Sequence, residues 1–401
     1  MDRSGGEPGA LIPYCQHQIR DEDRRAVSKV LDSPRLTQGP MVQAFEQALC
    51  GRTGSAWAVA VSSGTSALQI ALQALGLRPG DEVLVPSLSF LATANAVLLA
   101  GGRPVFVDVR SQTLSVDPAD LERKITPRTA GAVLVHYAGH VGEIGACRDG
   151  LGAGRFLLED ACHALGAESE EGPIGSQADA ACFSFHPAKH ITTGEGGAIT
   201  TRSGTLAERC RRLREHGVER DRQRWKGLGL PADVSSEEEG AWVYEMQTLS
   251  GNHRLPDLGA SLGASQLARL DETLSARRRI ARRYDALLGS IDGVELLAER
   301  PGTRSAWHLY PIRIDPARFR GGRAAVYRAL HDEGIGVQVH YIPIHLQPFY
   351  RHRFGTRYGD LPNTEEAYLR LLSLPLFPDL AEADQDRVVD VLSGHLEKLR
   401  R

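Results

Sequence analysis

Short runs of β-branched and apolar residues recur through the first half of this chain, each followed by a segment of helical periodicity. Ala58–Val61 leads into a helical pattern over Thr65–Leu75, and Glu82–Val85 leads into Leu91–Ala100. Pro104–Val107 opens a third strand, and further strands are expected at Ala132–Val135, Phe156–Glu159 and Ala181–Phe185. Strands this short and this apolar are buried on both faces. Their alternation with helices predicts an α/β fold, a mostly parallel sheet sandwiched by helices. Such a sheet collects the carboxyl ends of its strands along one edge, where ligands bind.

The texture changes near Leu267. An arginine-rich helical stretch (Arg269–Leu288) precedes a strand at His308–Ile314, a helix at Ala324–Glu333, a strand at Val337–Tyr341 and a closing helix at Ala383–Leu399. This predicts an N-terminal arm and helix (1–30), a large domain (31–265) and a smaller α+β domain (266–401), a division that 401 residues can support. The acidic patch Ser235–Gly240 reads as a solvated loop.

The mixed-sign net charge of −3 gives no electrostatic footprint for nucleic acid. M-D-R-S-G-G-E-P-G-A lacks the apolar centre of a signal peptide and no run of eighteen apolar residues occurs, so a soluble, cytoplasmic protein is expected, with no membrane partner. The six cysteines show no C-x-x-C spacing, which points to ordinary thiols rather than disulfides or zinc. His136 and His140 are four apart, but a strand giving way to a loop does not put them on one helical face, and no metal is expected.

Lysine is scarce, five residues against 42 arginines, which makes each one worth placing. Lys29, Lys124, Lys226 and Lys398 read as solvated. Lys189 lies in F-S-F-H-P-A-K-H-I-T-T-G-E-G-G, after a strand that delivers Ser184 and then the lysine to the ligand edge. In V-S-S-G-T-S-A-L a strand runs through a small-residue turn into a helix, leaving amides and hydroxyls at the helix N-terminus where an anion is favoured. Taken alone, that turn also suits an ordinary N-cap. Asp160, in F-L-L-E-D-A-C-H-A-L-G-A, ends an apolar strand; capping the next helix is its other reading. Neither the Walker pattern nor G-x-G-x-x-G is present. A lysine, a carboxylate and a phosphate cradle on one sheet edge together suggest pyridoxal phosphate, which needs an amine for its aldehyde, an acid for its pyridine nitrogen and donors for its phosphate. Phe90, following another strand, is a candidate to stack on the ring; taken alone, an aromatic there also suits the core.

These segments, with L-T-Q-G-P, D-E-V-L-V-P-S-L-S-F-L-A-T-A-N-A and G-N-H-R in the same order, resemble the fold-type I, DegT-type sugar aminotransferases from about Ile12 to Leu396. The resemblance implies that Lys189 carries the cofactor, Asp160 faces its ring nitrogen and Phe90 covers its ring. It implies further that Gly64, Thr65 and Ser184 hold the phosphate, that His163 lies close to the cofactor, and that Asn252 reaches the phosphate of a neighbouring subunit, so that a homodimer shares its active sites. After G-N-H-R this chain reads L-P-D-L-G-A-S where the family usually has M/I-T/S-D-I/L-Q-A-A. Pro256 and Gly259 thus depart from the pattern, while Asn252, Arg254 and Asp257 match.

V-H-Y-A-G, S-A-W-H-L-Y and V-H-Y-I-P-I-H-L-Q-P-F-Y are most similar to the PseC-like branch. Those enzymes move the amino group of L-glutamate to C4 of a UDP-linked 4-keto-6-deoxy-N-acetylhexosamine on the way to pseudaminic acid. His340, Tyr341, His345 and Arg254 are candidate substrate contacts; for the first three, a sheet-edge aromatic cluster is the other reading. Two rivals are a 3-dehydratase on the same scaffold, which typically has histidine in place of the lysine, and a non-catalytic sugar-binding or regulatory protein, for which Lys189, Asp160 and the phosphate turn would have no use.

Overall fold

Seven strands form the central sheet: β1 (Trp57–Val61), β2 (Glu82–Pro86), β3 (Arg103–Val107), β4 (Thr129–Val135), β5 (Phe156–Asp160), β6 (Ala180–Ser184) and β7 (Gly197–Thr201). The structure is a computed structural model that describes residues 10–228 and 242–401. The acidic patch Ser235–Gly240 lies outside the described residues. The strand order is β1-β7-β6-β5-β4-β2-β3, and only β7 runs against its neighbours. The carboxyl ends of β1, β2, β4, β5 and β6 therefore share one edge.

Both faces of the sheet are covered, which is why its strands read as apolar runs rather than as an alternation. Along β1, Ala58 and Ala60 enter one buried cluster with Phe45, Leu49 and Phe183, while Val59 and Val61 enter another with Leu68, Ile70 and Leu72. Successive side chains point to opposite faces, so each strand ties two cores together.

A three-stranded antiparallel sheet follows: β8 (Val294–Leu296), β9 (Tyr310–Ile314) and β10 (Leu371–Leu374), in that order. Its cluster includes Tyr284 and Leu288 from the helix Leu270–Leu288, Val388 and Leu392 from the helix Glu382–Leu399, and Ile12, which bridges to Ile335. The expected strand Val337–Tyr341 is not one. That segment makes a single bridge, Gln338 to Ser373, and then turns its rings toward the central sheet.

Lys29, Lys226 and Lys398 are exposed, but Lys124 is not the solvated residue expected. Its ammonium donates to Phe106 O at 2.8 Å and pairs with Asp120 at 3.0 Å, stapling the helix Pro118–Arg123 to β3. Pro256 and Gly259 leave the chain regular, since the helix Asp257–Leu267 starts directly after Pro256. Buried Asp257 then accepts from the amides of Gly39 and Met41 at 2.8 and 2.9 Å, anchoring the start of the helix Pro40–Thr53. All six cysteines are free thiols. No helix of the described residues is long and apolar enough to cross a membrane.

Candidate active site

At the shared strand edge the chain encloses a cleft of about 570 Å³, within the range of small-molecule sites. β1 leads through Ser62 to Ser63, which lines the rim of the cleft. Ser63 caps the helix Gly64–Ala74 by accepting from Ser66 N at 3.1 Å, and Ser62 N is tied to His253 O at 2.8 Å. The amides of Gly64 and Thr65 open the helix and have no intrahelical acceptor, so this end favours an anion. Gly64 packs hard against the end of β6. A Cβ there would lie 2.8 Å from Ser184 Cβ and 3.2 Å from Cys162 Sγ.

Asp160, at the end of β5, is buried and held by two donors, Thr93 Oγ1 at 2.8 Å and Cys162 N at 3.3 Å. Thr93 is itself bonded to Ser89 Oγ at 2.7 Å. This hydroxyl chain is absent from the sequence reading; its one signal is the four-residue spacing of Ser89 and Thr93 ahead of a helix. Beyond β6 the chain turns at His186 and presents Lys189 on the cleft floor, its amide donating to His186 O at 2.8 Å. Burial pushes the lysine pKa down, against the opposing pull of Cys162 and Asp160. Its Nζ lies 3.3 Å from Nε2 of His308, a residue that sequence reasoning missed.

His163 is buried, with Nε2 3.1 Å from the Tyr341 hydroxyl and Nδ1 unpartnered. Burial, then the neighbouring Lys189, pushes its pKa well below the ordinary imidazole value. Phe90 is 56% exposed on the cleft wall, 6.0 Å from the Tyr341 ring between centroids, so one aromatic face is open to a ligand. His340 also lines the cleft, bonded to Ser373 Oγ at 2.9 Å, and burial pushes it down to about 3.

Three expected residues lie elsewhere. His345 is fully buried away from the cleft: Nδ1 meets Ser87 Oγ at 2.7 Å and Nε2 meets Glu365 at 3.0 Å, which uses both ring nitrogens. As a cleft-lining residue it is corrected to a structural one. Arg254 faces a separate groove beside Glu215, 3.6 Å from its carboxylate. Asn252 is exposed, outside the cleft of its own chain. His136 is held by Glu159 at 2.9 Å and by Gly142 N at 3.0 Å.

Residues 17–393 match the DegT/DnrJ/EryC1/StrS aminotransferase family. The chain belongs to that family. Among its similar proteins is SpsC of Bacillus subtilis (strain 168), a spore coat polysaccharide biosynthesis protein, 38% identical over 95% of this chain and 96% of its own length. DesV of S. venezuelae is 34% identical, with a TM-score of 0.83 over 94% of each chain. PseC of Helicobacter pylori, an aminotransferase involved in the biosynthesis of pseudaminic acid, is 30% identical, with a TM-score of 0.86 over 97% of this chain and 100% of that one.

Family members are PLP-dependent sugar aminotransferases on this fold, and the cleft fits that cofactor on its own terms. Gly64 leaves the helix N-terminus bare for a phosphate, the unpartnered Nδ1 of His163 is free for a polar group, and Asp160 and Lys189 supply the acid and the amine. In this DegT-family cleft, Gly64→Ala is expected to force the helix start away from Ser184 and weaken pyridoxal phosphate binding about tenfold or more, the size of an overpacking penalty. Titration of the visible absorbance with cofactor measures this; unchanged affinity would remove Gly64 from the phosphate site.

Proposed function

We propose that this chain transfers the amino group of L-glutamate to C4 of a nucleotide-linked 4-keto-6-deoxy sugar, UDP-2-acetamido-2,6-dideoxy-4-keto-hexose in a pathway of the pseudaminic-acid type. The observation that carries the aminotransferase reading is the convergence of Lys189, Asp160, Phe90 and the Gly64 helix start in one cleft. The likeness to PseC supports the sugar. The comparable identity of DesV and SpsC favours a second reading, another nucleotide-linked keto sugar.

Bound pyridoxal phosphate supplies an aldehyde that links to amines and a ring that takes up the electron pair left when a proton departs. Lys189 would carry it and, once released, would be the base whose Nζ takes the proton from Cα of glutamate in the first half of the reaction and delivers a proton to C4 of the sugar in the second. Its depressed pKa suits that work, because a neutral amine is required at the start. Asp160, oriented by Thr93 and the Cys162 amide, holds a proton on the ring nitrogen. The Gly64 and Thr65 amides with Ser184 hold the phosphate, and Phe90 covers the ring. We read the exposed Asn252 as serving the phosphate of a second copy, so that the working unit is a homodimer.

The test is a panel of UDP-, dTDP- and GDP-linked 4-keto sugars incubated with glutamate and the purified protein. The expected result is bleaching of the visible band by glutamate, and amination of the UDP-linked N-acetyl sugar at least tenfold faster than of the others. A faster dTDP-linked substrate would transfer the assignment to the second reading, and no bleaching by glutamate would remove the donor.

A further inference from the structure

The wall of the cleft behind Lys189 is a strap, Ser305 to Leu309, that leads into β9. Its backbone is pinned to the turn after β4, with Ala306 N donating to Gly139 O at 3.0 Å and His308 N to Ala138 O at 2.8 Å. Trp307 (φ 48°) and Ala138 (φ 58°) both sit in the left-handed region, which non-glycine residues occupy only where their surroundings hold them. Gly139 (φ 97°) allows the close approach, since a Cβ there would lie 2.8 Å from Trp307 N.

Arg277, on the helix Leu270–Leu288, grips the strap from behind. It is 2% exposed, and its Nη1 donates to the carbonyls of Trp307, His308 and Leu376 at 3.2, 3.2 and 3.1 Å. A buried guanidinium directed at carbonyls rather than at a carboxylate is an expensive way to fix a loop. What it fixes is His308, whose Nε2 stands 3.3 Å from Lys189 Nζ while Nδ1 is buried without a partner.

The neutral ring has one proton for two nitrogens. On Nδ1 it would leave an N–H orphaned; on Nε2 it leaves only an unpaired acceptor, the lesser cost, and makes Nε2–H a donor to the amine. We propose that His308 holds the free ε-amine of Lys189 neutral by donating its Nε2–H to the nitrogen lone pair, and that Arg277 is the positioning residue that keeps His308 there. This rests on the reading of Lys189 as the cofactor's lysine.

The surrounding charges are consistent with it. Burial lowers the Lys189 pKa, opposed by Cys162 and Asp160, and the Arg277 cation lowers it further against the pull of Cys15. Burial also keeps the imidazoles around the amine neutral: His163, His190, His308 and His340 are all pushed down. A lysine that leaves the cofactor is then ready to take a proton.

The test uses the full chain loaded with pyridoxamine phosphate, in which the lysine is free, with lysine labelled by ¹³C at Cε. Five resonances at most need resolving, and that of Lys189 is the one lost in Lys189→Ala. The expected result is that Lys189 titrates lowest, and that His308→Phe and Arg277→Lys, which keeps the cation but ends one bond short of the three carbonyls, each raise its midpoint by about one pH unit, the size of one buried hydrogen bond. The double variant should shift it no further than His308→Phe alone. An unchanged midpoint in folded His308→Phe overturns the proposal, and additive shifts overturn the positioning role of Arg277. Should Arg277→Lys fail to fold, Gly139→Ala takes its place, since the added Cβ would press on the backbone amides of Trp307 and His308 and shift the strap without touching Arg277. A borohydride-reduced pyridoxyl adduct on Lys189 in the variants' aldehyde form shows that the lysine assignment stands whichever way the titration falls.

Discussion

Lys189→Ala is expected to lower transamination by about 10³-fold or more, a general base in the proton-transfer step contributing about 10²–10⁴. No other lysine can stand in. Lys29, Lys226 and Lys398 are exposed, and Lys124 is committed to Asp120 and the Phe106 carbonyl. The truncation leaves the amide contact to His186 in place, so the turn should persist and the thermal midpoint should change little. Steady-state rates with glutamate and a keto sugar give the magnitude. Borohydride reduction followed by peptide mass spectrometry gives the site, the pyridoxyl adduct disappearing from the peptide that spans Phe183–Gly197. Turnover within tenfold of the parent, or an adduct on another peptide, would end the proposed mechanism.

The second large effect is expected at Asp160. Asp160→Asn keeps the shape and can still accept from Thr93 Oγ1, so the strand end should stay folded. What it loses is the negative charge proposed to hold a proton on the ring nitrogen. Removing a preorganised electrostatic partner of this kind costs about 10²–10³ in kcat. Cofactor affinity should fall far less, because the proposed phosphate donors, the Gly64 and Thr65 amides and Ser184, are untouched by the substitution. A cofactor methylated at its ring nitrogen carries the positive charge permanently and should recover part of the lost rate. If it recovers none, the carboxylate acts elsewhere in the reaction.

Much of the sheet was legible because its strands are buried on both faces, which forces a composition that survives without context. β1, β2, β3 and β5 fall within one residue of their expected bounds at each end, whereas β4 begins three residues earlier, at Thr129. Val337–Tyr341 reads V-Q-V-H-Y, β-branched and aromatic enough to suggest a strand, yet it makes only a single bridge to Ser373 and is none. His340 and His345 look alike in sequence. One lines the cleft and the other is locked between Ser87 and Glu365, a difference fixed by where the short helix after Pro343 lands. Lys124 reads as solvated because the carbonyl it binds lies eighteen residues away, on a neighbouring strand.

Residue types and near-neighbour spacing alone determined the α/β class, the serine-capped turn into the helix after β1, and the lysine and acid on one sheet edge, since each follows from local periodicity and from the chemistry a cofactor demands. Only the folded chain decided which histidine meets the lysine. His308 lies 119 residues beyond it, and the two meet because a buried arginine and a strained strap close that distance; no local pattern records such a closure.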